Sequence, residues 1–229
     1  AMTNIGLALP EPGYLEGVRK LTRKYGSLWL IDETHTMWSG PAGLTGRWGL
    51  EPDIWTAGKT IGGGMPAGVY GFREEYAEQI SEQLKHSGEG LVGISGTFSG
   101  GMLSLTGIYH NLTKMFTEEN FNRIEELGAR ATDGLATVIS EFELPWHAGP
   151  QLGARVTYHF TPEPCRSMTY YVNEVHDDDL TYLMNLYMLN RGVMCMAFNN
   201  CWLVSPSATD HDIDIAVGVF RNCCKELLD

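Results

Sequence analysis

Apolar positions recur at steps of three and four along some stretches of this chain and at near-consecutive positions along others. Over residues 10–26, Tyr14, Leu15, Val18, Leu21 and Tyr25 share one helical face, opened by prolines and closed by Gly26. Residues 27–32, SLWLID, then predict a buried strand that ends on a carboxylate. A turn-rich excursion over 33–53 separates it from two further short strands, at 54–57 and 67–72. Residues 73–85 predict a helix with most of its charge on one face. A glycine-rich loop over 87–101 leads to another helix starting near Gly101 or Met102. The clearest helical pattern lies over 118–142, where Phe121, Ile124, Leu127, Ala131, Leu135 and Val138 line one side, which makes this helix a candidate bridge between domains.

Beyond Pro145 the texture changes to short alternating runs, at 153–160 and at 168–173 (MTYYVN). A helix over 178–190, two more short strands at 193–196 and 202–205, and a last helix over 210–228 complete the pattern. Helix, strand, loop and strand in the first half is the order of an α/β sheet layer, and the second half reads as a small α+β domain. The expected boundary divides 1–115 from 116–229. Strands this apolar need cover on both faces, with Leu28, Leu30, Ile31, Ile54, Val69 and Tyr70 among the positions expected to be buried.

Composition narrows the classes without naming one. At 229 residues, 43% hydrophobic and 19% charged, the chain has ample core for one large domain or two small ones. A net charge of −12 argues against nucleic acid or an anionic membrane as partner. No apolar run approaches the roughly 20 residues that span a bilayer, and the start carries no basic leader. Five cysteines without paired spacing predict reduced thiols, a cytoplasmic location and no metal site.

Candidate chemistry centres on TAGKTIGGGMPAG, residues 56–68. Its Gly-Lys-Thr suggests a phosphate-cradling loop, but that motif needs a glycine where Asp53 stands, and here the glycines follow the lysine. In open α/β sheets, ligands bind beyond the carboxyl ends of the strands. Asp32 ends one predicted strand and Lys59 follows another, so both can project from one rim. A lysine amine and a carboxylate there suit pyridoxal phosphate, whose aldehyde takes a lysine and whose ring nitrogen takes an acid. On spacing alone, a solvated lysine and a helix-capping aspartate explain the pair equally well.

Longer motifs separate these readings. LPEPGYLEGVRKLTRKYGSLWLIDE, GLEPDIWTAGKTIGGGMPAGVYG, GTFSG, YMLNRGVM and WLVSPSATDHDID occur in the order in which similar segments occur in class III pyridoxal-phosphate aminotransferases. The chain resembles the C-terminal half or so of that family, near glutamate-1-semialdehyde aminomutase and the β-amino acid transaminases. The resemblance implies a fold-type I transferase, α/β, with part of the large, mainly parallel-sheet domain followed by the small C-terminal α+β domain. It implies Lys59 as the catalytic Schiff-base lysine, Asp32 as partner of the pyridine nitrogen and Thr34 beside the ring. Gly96 and Thr97 would contact the cofactor phosphate of a neighbouring subunit, hence a homodimer. Glu33 would brace the site or touch substrate, and His35 is either a substrate or cofactor contact or a hydrogen-bonded structural residue.

This chain departs from the family pattern in two places and in extent. Thr34-His35-Thr36 replaces the usual Val-Met-Thr, and Gly101-Met102 replaces the usual Asn-Pro after GTFSG. Family members are about twice as long, so the expected enzyme needs an N-terminal half, on the same chain or a companion, and is inactive without it. The implied reaction is amino transfer from an amino donor to an oxo-acid acceptor. An intramolecular aminomutase is the enzymatic alternative, and a non-catalytic interaction subunit is the alternative from another class.

Overall fold

The computed structural model describes residues 1–87, 96–196 and 199–229. The chain divides into a central unit, Pro12–Thr117, and a terminal unit in which Ala1–Glu11 join Glu118–Asp229. No helix is long and apolar enough to cross a membrane among the described residues.

The central unit opens with helix α1 (Tyr14–Tyr25). Glu16 sits in its first turn and Arg23 and Lys24 in its last, each complementing the helix dipole, and Gly26 ends it at φ 64°. Strand β1 (Leu30–Asp32) runs parallel to β2 (Ile54–Gly58), with Asp32 opposite Thr56, so the two strands present their carboxyl ends on one rim. Strand β3 (Gly68–Phe72) closes the other side of β2 antiparallel. Between β1 and β2 the chain forms a 3-10 turn (Met37–Ser39) and a short helix α2 (Gly43–Arg47). Helix α3 (Glu74–Ser87) follows β3. Helix α4 (Met102–His110) then runs into a wider π-turn, Asn111–Met115. The amino ends of β1 and β2 are tied by Asp53, whose carboxylate accepts from Arg19 at 2.6 and 2.9 Å and from the Trp29 N–H at 2.7 Å.

The strands are not buried as their apolar sequence predicts. Leu28, Leu30 and Tyr70 each remain about half exposed, at 51–52%, and neither α1 nor α4 contains a buried residue. The described residues do not supply the covers such strands require.

The terminal unit is built differently. Helix α5 (Glu118–Glu141) buries Phe121, Ile124, Leu127, Ala131, Leu135 and Val138, the face expected from spacing. It lies wholly within this unit. It packs on α8 (Asp210–Leu228) and on an antiparallel sheet of β4 (His147–Leu152), β5 (Arg155–His159) and β6 (Cys201–Leu203). Gly134 allows α5 to approach α8 closely, since a Cβ there would lie 2.5 Å from Val217. Helix α8 is capped by Thr209, which exchanges hydrogen bonds with Asp212, and α7 (Asp178–Leu189) by Asp177.

Two local expectations fail here, and one strand was not expected. Residues 168–173 are not a strand: Ser167 accepts the Tyr170 N–H, starting a helical turn α6 (Met168–Tyr170) that widens over Tyr171–Val175. This cap outweighs the β preference of the aromatic run. Residues 193–196 carry no strand, although the Met196 N–H reaches the Cys201 carbonyl at 3.1 Å. Strand β4, by contrast, forms in a segment whose glycine and proline concealed it.

Candidate active site

Asp32 is the last residue of β1, and its Oδ1 accepts the Thr34 N–H at 2.8 Å. Hydrogen bonds from the Thr34 hydroxyl and N–H hold the Asp32 carboxyl below the usual carboxylate range; burial opposes them, and the charges of Lys59 and His35 add to the lowering. An aspartate so placed keeps its charge at neutral pH. Thr34 also lies against Gly58, where a Cβ would sit 3.5 Å from its hydroxyl. The threonine thus lies between Asp32 and the end of β2, one residue before the lysine.

Lys59 opens a 3-10 turn, Lys59–Gly62, with an exposed side chain and a left-handed backbone at φ 48°. Few non-glycine residues adopt that conformation without surrounding bonds to enforce it. Here the enforcement comes from behind the turn. The buried Asn111 carboxamide donates to the Thr60 carbonyl at 2.6 Å and to the Ile61 carbonyl at 3.3 Å. The backbone of the turn also touches α4, since a Cβ on Gly107 would collide with the Gly62 carbonyl.

Glu33 points the other way. It is fully buried, and its carboxylate accepts from the Thr36 hydroxyl, the Leu44 N–H at 3.2 Å, the Thr45 N–H and the Thr45 hydroxyl at 2.6 Å. Its acceptor capacity is committed to the loop after β1. Gly43 leaves room for it, because a Cβ there would lie 2.8 Å from the carboxyl group. His35 is half-buried next to this loop and adds positive character near Asp32.

Gly96 and Thr97 are exposed in a turn in which the Gly96 N–H donates to the Ser99 hydroxyl at 2.8 Å and the Ser99 N–H donates to the Gly96 carbonyl. This turn, Pro66, Gly68 and Ser104 line a cleft of about 410 Å³. The part of the glycine-rich loop over 88–95 lies outside the described residues. The structure therefore gathers Asp32, Thr34 and Lys59 at one strand rim and places Gly96 and Thr97 in a cleft bounded by the start of β3. Asn111 escaped sequence reasoning because its partners lie some fifty positions away and other polar residues, among them Ser104, Thr106, His110 and Lys114, surround it in the sequence.

Residues 2–149 match the family model described as aminotransferase class-III. The chain belongs to that family. Its members are pyridoxal-phosphate-dependent enzymes of the fold-type I class. Among curated relatives it is 34% identical to glutamate-1-semialdehyde 2,1-aminomutase 2 of Halalkalibacterium halodurans, covering 98% of this chain and 50% of that protein. Among solved structures it is similar to a glutamate-1-semialdehyde-aminomutase from Pseudomonas aeruginosa, with a TM-score of 0.92, 34% identity and coverage of 99% of this chain and 50% of that one. A variant of the Pseudomonas protein has been solved in complex with PMP. A β-phenylalanine aminotransferase from Variovorax paradoxus aligns at a TM-score of 0.78 and 27% identity, over 95% of this chain and 49% of that one. The chain spans about half the length of the curated relatives it matches.

Proposed function

We propose that this chain is the C-terminal half of a pyridoxal-phosphate enzyme that passes an amino group from an amino donor to an oxo acid. One observation carries the reading: an ionised Asp32 and an exposed Lys59 stand at the carboxyl ends of two paired parallel strands. The donor set fits the cofactor, since it offers an amine for the aldehyde and a stable anion for a protonated ring nitrogen. When bound, the cofactor supplies an electron sink for the pair released as the substrate's C–H bond ionises.

Each residue then has a task of its own. Asp32 holds a proton on the ring nitrogen by accepting it as a hydrogen bond. The Lys59 Nζ would hold the cofactor through its aldehyde, and as a free amine it would take the proton from the substrate carbon. Thr34 packs beside the ring while its N–H and hydroxyl keep Asp32 charged. Glu33 holds the intervening loop, and His35 lines the same rim. Gly96 and Thr97 would contact the phosphate held by the opposite protomer of a homodimer. The half-exposed Leu28, Leu30 and Tyr70 support a further partner, the N-terminal half of the enzyme, without which the chain would be inactive. All five cysteines are free thiols, which suits the cytoplasm.

A second reading, intramolecular 2,1-aminomutation, is favoured by the names of the relatives at 30–34% identity. The same residues serve it. The test begins with borohydride reduction of the assembled protein loaded with pyridoxal phosphate, followed by peptide mapping. Cofactor fixed on Lys59 is the expected result, and cofactor on another lysine overturns the assignment. Incubation with an isotopically labelled amino donor and a free oxo acid then separates the reactions. Label appearing in a new amino acid supports the transaminase, whereas product formed without exchange supports the aminomutase.

A further inference from the structure

The π-turn at the end of α4 touches both loops of the candidate site. On one side, the Asn111 carboxamide spans two consecutive carbonyls, Thr60 and Ile61, immediately after Lys59. On the other, Phe116 stacks on Trp38 with ring centroids 4.5 Å apart, and Trp38 belongs to the loop that follows Asp32 and Glu33. The Phe116 N–H closes the turn on the Asn111 carbonyl at 3.0 Å, so the two contacts are made by one short, internally bonded segment. Ile61, Met37 and Ala57 form the small buried cluster between them, with Ile108 and Phe116 packed against it.

From this arrangement we infer that Asn111 is a positioning residue for Lys59. The inference rests on the reading of Lys59 as the cofactor lysine. A left-handed lysine at φ 48° needs its following peptides held, and the Asn111 carboxamide donates to the next two carbonyls, Thr60 and Ile61, beside the Gly63 N–H that also reaches Thr60. Widened helical turns of this kind recur at functional sites, where they redirect a side chain out of the regular ladder. Here the widening aims a carboxamide at the lysine turn and an aromatic ring at the aspartate loop. The turn that follows α4, which itself contributes no reacting group, thereby braces the loops that follow Asp32 and Lys59.

The test uses the full chain in its native assembly and three variants. Asn111→Asp keeps shape and removes both donors, Asn111→Ala removes both shape and donors, and Arg19→Met weakens the same unit at the opposite ends of its strands. Hydrogen exchange at the Gly63 and Met65 amides, which close the lysine turn, is read without cofactor. It should accelerate at least tenfold in both Asn111 variants and stay unchanged in Arg19→Met; unchanged exchange in Asn111→Asp overturns the inference. The rate at which borohydride-trappable pyridoxal phosphate attaches to Lys59, and its pH dependence, is then read in the same proteins. A tenfold slower attachment in Asn111→Asp with a displaced pH profile supports positioning. Faster exchange with unaltered attachment overturns it, because the turn is then held for stability alone. No attachment to Lys59 in the unsubstituted chain overturns the functional reading and this inference with it. That failure is distinguishable, because the exchange arm needs no cofactor.

Discussion

The two units of this chain solve the burial problem in opposite ways. In the terminal unit, α5, α7 and α8 close over the β4–β6 sheet, and Leu135, Val138, Val156, Met184 and Phe220 lose essentially all solvent contact. In the central unit a small buried apolar cluster beside the lysine turn comprises Met37, Ala57 and Ile61, while α1 and α4 bury nothing fully. The unit with the candidate chemistry is therefore the one left open, and the unit with the complete core carries none of the residues assigned to the reaction. Stability and chemistry should respond to different substitutions.

Asp32→Asn should give the largest effect. It removes the anion proposed to hold the ring proton, and turnover of the assembled enzyme should fall on the order of a thousandfold, equivalent to about 4 kcal/mol. Unfolding of the terminal unit should not move; near-normal steady-state turnover would count against the mechanism. Phe220→Ala should do the converse. Phe220 is fully buried among Tyr158, Trp146 and Trp202, and its truncation should cost about 3–5 kcal/mol in denaturant unfolding. A loss below about 1 kcal/mol would mean the core is looser than it is drawn.

A pH titration sharpens the same contrast. Burial, with a smaller contribution from neighbouring His147, lowers the His159 pKa to about 4, against the raising effect of its hydrogen bond to the Gly6 carbonyl. The folded protein then binds fewer protons than the unfolded chain between about pH 6.5 and 4. His159 contributes stability that is present above its unfolded pKa and lost as pH falls towards the folded value, up to about 3 kcal/mol. The slope of unfolding free energy over this window should flatten in His159→Gln, and an unchanged slope would reject the assignment. The smallest effect is expected at Leu21→Ser on α1. Leu21 is 55% exposed, so the chain alone should change by less than about 0.5 kcal/mol. If the N-terminal half covers this face, its affinity should weaken clearly, which titration of the two halves would measure.

What was legible in the sequence follows the same division. The buried face of α5 and the span of α8 were readable because each helix spends its apolar residues on a core within this chain. The apolar strands of the central unit were equally readable as strands but misled about burial, since Leu28, Leu30 and Tyr70 stay about half exposed among the described residues. Residues 168–173 misled for a local reason, one serine hydroxyl starting a helical turn in a β-favouring run. At the candidate site, Asp32 and Lys59 were legible from their place after strands. The full commitment of Glu33 to Thr36, Leu44 and Thr45, and the hold of Asn111 on the lysine turn, were not, because both depend largely on bonds to backbone groups, joined at Glu33 by two threonine hydroxyls, that sequence patterns do not mark.

The joining of Ala1–Glu11 to Glu118–Asp229 makes the central unit an insertion within the terminal one. The polypeptide leaves the terminal unit and re-enters it, so two covalent junctions bound the excursion. A protease that nicks the chain between Thr117 and Glu118 would cut only one of them. The first eleven residues would still be fastened by the His159 bond to Gly6 and the Asn199 bond to Thr3, and by Leu7 and Ala8, which are almost wholly enclosed. The severed pieces should therefore travel together through size-exclusion chromatography and separate only under denaturing conditions.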